Sequence, residues 1–165
     1  MNMIEFLSDR LTVARAWTND LLQDIDESTW FDMPAPGINH VAWQVGHLAA
    51  SQVALIHVRC FAKDYDSCTP AGFREMFGKG SSPKADPSAY PGIADIRAAF
   101  DRIQAEAIEL ITTMPESDLN RPAGTEPHPL FSTRQGAIAT AALHETFHAG
   151  QIALLRRLAG KPPLR

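Results

Sequence analysis

The sequence contains one motif that is typical of a metal site, the run His144-Glu145-Thr146-Phe147-His148. Two histidines four residues apart share one face of an α-helix, so both imidazoles can reach one ion. Zincin-type metalloproteases use such a run for two zinc ligands and a glutamate base, with a third ligand farther along the chain. Positions 149–165 contain no His, Cys, Asp or Glu. The usual zincin arrangement is therefore excluded, and a third protein ligand must lie upstream. Without a metal, the pair would be two hydrogen-bonded histidines.

His47 is the best upstream candidate for the third ligand. It lies in the middle of a segment of small and polar residues and shares a helix face with Ser51. His40 is the alternative, but it precedes His47 by about two turns, or about 10 Å of helix rise, so one ion is not expected to bind both. His57 lies off this face, and His128, between two prolines, is predicted to be a solvated loop residue.

Three neutral histidines form a ligand set that suits zinc, nickel or cobalt and leaves at least one coordination position open. The sequence therefore predicts one divalent ion per chain, most naturally zinc or nickel. The open position can take a water whose pKa falls toward neutrality, or a thiolate. Gln151 lies on the histidine face, where it either helps to hold the site or is an ordinary interior amide. Nearby alanines, Ala137, Ala141 and Ala149, leave room for a substrate or allow close helix packing.

The elements that must position these residues are helices. Hydrophobic residues recur at helical spacing in four segments, which predicts an all-α fold. Asn39 is a predicted N-cap of the second helix, and Ser132-x-x-Gln135 is a predicted capping box of the fourth. About 30 residues separate the second and third helices, enough for a long crossover that lets the two run parallel. The predicted helices cover residues 3–24, 39–61, 92–114 and 132–160.

Composition limits the class of protein. The chain has 165 residues, 45% of them hydrophobic, so a single domain over residues 1–165 is expected. A net charge of −4 without a cluster of basic residues argues against nucleic-acid binding. The uncharged stretch 39–58 contains three histidines and two glutamines, which favours a buried helix over a membrane span. Two cysteines are too few for a disulfide framework, and a cytoplasmic location is predicted.

Several segments together resemble the DinB/YfiT-like family of small metal-binding bundles. They are Gly46-His47-Leu48-Ala49-Ala50 with Trp43 ahead of it, Phe77-Gly78-Lys79-Gly80-Ser81, the run from His144 to Ile152, and Leu154-Leu155-Arg156-Arg157. The resemblance implies a four-helix bundle of up-down-down-up topology in which residues matching His47, His144 and His148 bind a divalent ion. It also implies a homodimer. Relatives include transferases and isomerases that use a small bacterial thiol, and proteins described as metal-dependent hydrolases.

Three functional hypotheses follow. The leading one is a thiol-dependent S-transferase that acts through a metal-bound thiolate, with a small-molecule thiol and an electrophile as partners. In that enzyme Glu145 and Gln151 would at most support the metal ligands. The alternatives are a hydrolase that uses a metal-bound water, with Glu145 as the nearest candidate base, and a metal-stabilised stress or binding protein without turnover.

The sequence also offers candidates for substrate binding. Trp43 and Ser51 lie within one helical turn of His47. A thiol that carries a carboxylate would need a cation near the site, which Arg134, Arg121 or Arg74 could supply.

Overall fold

The computed structural model describes residues 1–164, and helices are the regular elements of that part of the chain. The predicted all-α class is confirmed. The α-helices are α1 Met3–Leu22, α2 Val41–Gln52, α3 Arg59–Phe61, α4 Tyr65–Cys68, α5 Phe73–Phe77, α6 Ile93–Thr113 and α7 Arg134–Leu158.

The long helices pack side by side. Helix α1 lies along α7 and α2 lies along α6, while α2 also touches α7 and α1 touches α6. Apolar side chains fill the space between them in two clusters. One surrounds Trp30, Phe77 and Phe100, and the other surrounds Leu11 and Ile138.

Helix α1 begins with a capping box that the sequence analysis did not predict. The Asn2 side chain accepts a hydrogen bond from the Glu5 amide, and the Glu5 carboxylate accepts one from the Asn2 amide. These two bonds satisfy amide groups that a helix start otherwise leaves unpaired. Leu7 and Leu11 lie on the apolar stripe of α1 and are buried. Trp17 widens that stripe on a helical wheel, but in the structure it is 47% exposed.

The N-cap of α2 is His40 and not the predicted Asn39. The His40 Nδ1 atom accepts a hydrogen bond from the Trp43 amide at 3.0 Å, and its Nε2 atom lies 3.0 Å from the Lys84 carbonyl oxygen. A histidine can perform this role because an unprotonated ring nitrogen is an acceptor. His40 therefore has a structural task at the start of the helix.

Helix α2 continues through a π-helical segment, Val53–Val58, into α3. A π turn holds more residues than an α turn and shifts the helix face that follows it. On a regular helical wheel Leu55 lies on the same line as Val45 and Leu48. In the structure Leu55 is consequently half-buried, while Ile56 and His57 are fully buried. π-Helical turns occur frequently at functional sites.

The connection between α3 and α6 carries α4 and α5 and packs back onto α2. It approaches α2 closely at Gly46, where a Cβ atom would lie 2.4–2.6 Å from ring atoms of Phe77. Only glycine leaves room for that ring. The contact brings the Phe77 backbone to the middle of α2, next to His47.

The N-cap of α7 lies one residue later than predicted. Its N-cap is Thr133, whose hydroxyl accepts a hydrogen bond from the Gly136 amide at 3.3 Å, so Ser132 is not the cap. The helix ends at Leu158, and Gly160 follows with a positive φ of 82°, which favours glycine. Within residues 1–164, no helix combines the length and apolar character that crossing a membrane requires.

Candidate metal centre

Three histidines from two helices converge in the interior of the protein. His47 lies on α2, and His144 and His148 lie one turn apart on α7. One ring nitrogen from each lies within 4.8 Å of the others, so the group could hold a metal ion. His47 and His148 are buried, and His144 is partly exposed. The structure thus brings together the three residues predicted as ligands.

The orientation of His47 is fixed on three sides. Its Nδ1 atom lies 2.7 Å from the Phe77 carbonyl oxygen, which is only an acceptor, so Nδ1 carries the proton. Nε2 therefore keeps its lone pair, and the Ser51 hydroxyl lies 3.2 Å from it. The Trp43 indole stacks on the imidazole at 4.4 Å between ring centroids, with 9° between the planes. The Trp43 Nε1 atom donates a hydrogen bond to the Ser81 hydroxyl.

The orientation of His148 depends on a pair of glutamine amides. The Gln44 Nε2 group donates to the Gln151 oxygen at 2.7 Å, which leaves the Gln44 oxygen as the acceptor facing His148. The His148 Nδ1 atom lies 2.5 Å from that oxygen and must donate. Its Nε2 atom then has a free lone pair and lies 3.2 Å from Nε2 of His144.

The spacing of the two histidine nitrogens on α7 matches that of two ligands of a zinc-type ion. Two nitrogens bound tetrahedrally at 2.0–2.1 Å from zinc are separated by about 3.3 Å. The separation of 3.2 Å between the His144 and His148 nitrogens is close to that value. Metal-bound histidines also commonly donate their second ring nitrogen to an oxygen acceptor, as His47 and His148 do here.

The electrostatics keep the cluster neutral. Burial, with a further contribution from the neighbouring histidines, lowers the pKa of His148 to about 3 and that of His144 to about 4. Burial also lowers the pKa of His47, against the raising effect of its hydrogen bond to Phe77. Neutral imidazole is the form that binds a metal, so at neutral pH no proton has to leave first.

Glu145, between the two histidines of the motif, faces α1 and not solvent. It is 3% exposed and forms an ion pair with Arg15, which is 5% exposed. The Arg15 Nε atom donates to one carboxylate oxygen at 2.5 Å and Nη2 donates to the other at 3.2 Å. Both oxygens of Glu145 are therefore engaged by one guanidinium group.

Arg15 extends this ion pair into a buried network. Its remaining donors reach the Phe100 carbonyl oxygen at 2.7 Å and the Gln52 side-chain oxygen at 3.2 Å. Gln52 in turn donates to Gln104 at 2.5 Å. The network links α1, α2, α6 and α7 around the helix that carries two of the histidines.

The other predicted site residues occupy different positions. Gln151 accepts a hydrogen bond from Gln44, and Gln44 in turn accepts one from His148. Gln151 therefore supports His148 indirectly. Trp43 is 6% exposed and stacks on His47. A direct contact between Trp43 and a substrate stays a prediction. Ser51 is half-buried beside His47. Arg134 begins α7, about 15 Å of helix rise before His144, and pairs with Asp118 at 3.2 Å; the structure does not bring it to the cluster.

The remaining histidines do not join the cluster. His40 caps α2. His57 is fully buried with its Nε2 atom 3.6 Å from a Glu106 carboxylate oxygen, and burial lowers its pKa. His128, predicted to be solvated, is half-buried and stacks on Phe131 with ring centroids 4.0 Å apart.

Two residues that support the site, Gln44 and Arg15, were not predicted from the sequence. Gln44 was visible as a polar residue one turn before His47 on the same helix. Arg15 was visible as a charge within the apolar stripe of α1, one turn after Leu11. Burying a polar group is costly unless it forms hydrogen bonds, so both side chains need partners.

The fold and the site together define an all-α protein with a three-histidine group that could hold one metal ion. The chain belongs to the DinB superfamily, whose family model matches residues 10–152. The family predicted from the motifs is therefore confirmed. Among solved structures, a conserved protein from Enterococcus faecalis is similar in fold: the TM-score is 0.67 at 21% identity, covering 98% of this chain and 99% of that one. A comparison with curated proteins found no match.

Proposed function

We propose that the protein is a metal-dependent enzyme, a thiol-dependent S-transferase whose divalent ion, zinc or nickel, is held by His47, His144 and His148. The observation that carries the proposal is the convergence of ring nitrogens from all three histidines within 4.8 Å. When bound, such an ion lowers the pKa of a thiol and so favours the thiolate.

The protein's own residues have distinct tasks in this proposal. Phe77 and Gln44 hold the tautomers of His47 and His148, and Trp43 keeps the His47 ring from tilting. The Ser51 hydroxyl lies 3.2 Å from the His47 Nε2 atom, and Ser51 is only half-buried. It is therefore placed to donate a hydrogen bond to a sulfur or oxygen atom of the substrate.

The position of Glu145 favours thiol transfer over hydrolysis. A hydrolase of this type needs a base that can accept a proton from water near the histidines. Glu145, the nearest candidate, directs both oxygens to Arg15. Metal-dependent hydrolysis remains the second candidate function only if another group serves as the base.

The proposal includes the architecture that the family resemblance implies. We place the long helices α1, α2, α6 and α7 in a four-helix bundle with up-down-down-up order. The pairings of α1 with α7 and of α2 with α6 support it, as does the long connection from α3 to α6. A cytoplasmic location is part of the same proposal.

We also propose a homodimer that forms through α7. Four apolar side chains on this helix are exposed, at spacings of four, seven and four residues, so they form one stripe. They are Leu143, Phe147, Leu154 and Leu158. A two-fold axis would pack this stripe against the same stripe of a second copy.

Cobalt substitution tests the proposed chemistry. Cobalt-loaded protein should gain a sulfur-to-metal charge-transfer band when glutathione is added, because that band requires direct coordination of sulfur. His47→Ala should abolish the band, and His128→Ala, at a histidine outside the cluster, should not. If no thiol changes the spectrum of the loaded protein, the transferase proposal is wrong.

A further inference from the structure

A cavity of about 600 Å³ lies beside the histidine cluster. Ser51, whose hydroxyl is 3.2 Å from the His47 Nε2 atom, forms part of its wall. Ala54 and Val58 continue the wall along the π-helical segment, and the connection that follows α3 forms the opposite side. This volume lies within the range of small-molecule binding sites.

The charge of the cavity wall is opposite to that of the whole protein. The chain has a net charge of −4. The wall nevertheless contains four cationic side chains and one acidic one, namely Arg59, Lys63, Arg74, Lys79 and Asp64. A concave surface of one sign concentrates ligands of the opposite sign.

Within residues 1–164, two of these four cations have neither an ion pair nor a side-chain hydrogen bond. Arg59 donates to the carbonyl oxygens of residues 123 and 126, and Arg74 pairs with Asp66. The Asp64 carboxylate caps α4 by accepting from the amide of residue 67. Among residues 1–164, neither Lys63 nor Lys79 has an ion-pair partner, and both are exposed.

We propose that this cavity binds the acidic part of the thiol substrate, with carboxylate groups held by Lys63 and Lys79. The sulfur end would then pass Ser51 toward the three histidines. The identification of the ligand as a thiol rests on the proposed function, whereas the carboxylate site rests on the cavity alone.

The test uses a ligand that keeps the carboxylates but cannot present a thiolate. S-Methylglutathione is titrated into zinc-loaded protein by calorimetry, and its diethyl ester, without free carboxylates, is the matched ligand. S-Methylglutathione should bind, and its diethyl ester should bind at least about fivefold more weakly. A loss of that size is within the range expected for two exposed ion pairs. Equal binding of acid and ester would overturn the proposal.

Two variants locate the site. Lys63→Ala combined with Lys79→Ala should weaken binding of S-methylglutathione about fivefold or more, whereas Lys84→Ala, an exposed lysine outside the cavity wall, should not. Unchanged binding in the double lysine variant, or an equal loss in Lys84→Ala, would contradict the site.

Glutathione added to the cobalt-loaded protein separates the two proposals. If S-methylglutathione binding depends on the lysines but glutathione leaves the cobalt spectrum unchanged, the transferase proposal fails and the carboxylate site stands. If glutathione shifts the spectrum at the same concentration in wild type and in the double lysine variant, the carboxylate site fails and the transferase proposal stands.

Discussion

Glu145→Gln should destabilise the protein strongly while leaving the metal site intact. Glu145 and Arg15 are 3% and 5% exposed, and their ion pair is bidentate. The substitution removes the negative charge and one of the two acceptor oxygens. Arg15 keeps its bonds to Phe100 and Gln52 but is left as a buried, uncompensated cation.

The size of the destabilisation follows from leaving the buried Arg15 without a negative partner. Removing one partner of a buried ion pair costs about 3–5 kcal/mol. Because glutamine retains one acceptor, we expect about 3 kcal/mol of lost unfolding free energy. For a domain of this size, that corresponds to a melting temperature lower by roughly 6–12 °C.

Urea denaturation and thermal melting of the zinc-loaded protein are the assays. Glu109→Gln, which removes the same charge from an exposed position on α6, is the matched control and should stay within about 0.5 kcal/mol of wild type. Replacing both partners, Arg15→Met with Glu145→Leu, should recover much of the loss, because no unpaired charge remains.

The zinc content of Glu145→Gln separates this account from a catalytic role. It should equal that of wild type. A variant as stable as wild type would refute the role assigned to the ion pair. A stable variant that loses an esterase or amidase activity would instead favour the hydrolase.

Three further predictions concern other parts of the structure. Gln44→Leu should weaken zinc binding about 10- to 100-fold by releasing the His148 ring; competition with a chromogenic chelator measures it, and unchanged affinity would contradict the role of Gln44. The pKa values of about 3 for His148 and about 4 for His144 lie below the 6.5 of an unfolded histidine, so the unfolded chain takes up protons first as the pH falls. Metal-free protein should therefore be fully stable above about pH 6.5 and lose stability toward pH 3; a urea midpoint that does not fall would be inconsistent with burial of neutral rings. Leu154→Asp combined with Phe147→Asp should yield monomers in analytical ultracentrifugation, and a persistent dimer would exclude the α7 stripe as the interface.

The sequence predicted the long helices because each carries a continuous apolar stripe. The N-cap residues were harder to predict. Asn39 and Ser132 are both reasonable N-cap residues, but a neighbour, His40 or Thr133, accepts the amide hydrogen bond. Which of two adjacent residues takes the cap depends on how the preceding chain enters the helix, and periodicity does not report that.

The π-helical segment shows a second limit. A helical wheel assumes a constant turn, so it placed Leu55 in the core and His57 off the face. The segment Val53–Val58 breaks that assumption, and His57 is fully buried. Nothing in the composition of this stretch marks the change of turn.

The three ligands could be predicted because helical spacing determines which side chains share a face. His144 and His148 are one helical turn apart, and His47 was the mid-helix histidine on a small, polar face. Their support could not be predicted in the same way. The carbonyl of Phe77 reaches His47 only because Gly46 admits the Phe77 ring, and that contact joins segments about 30 residues apart.

The metal content of the purified protein tests the central claim most directly. Elemental analysis after purification without chelator should find about one zinc or nickel ion per chain in wild type and in His128→Ala. His47→Ala and His148→Ala should each hold little or none while retaining a helical circular dichroism spectrum. A metal-free wild type that takes up neither zinc nor nickel, or a His47→Ala variant that binds zinc as tightly as wild type, would contradict the account.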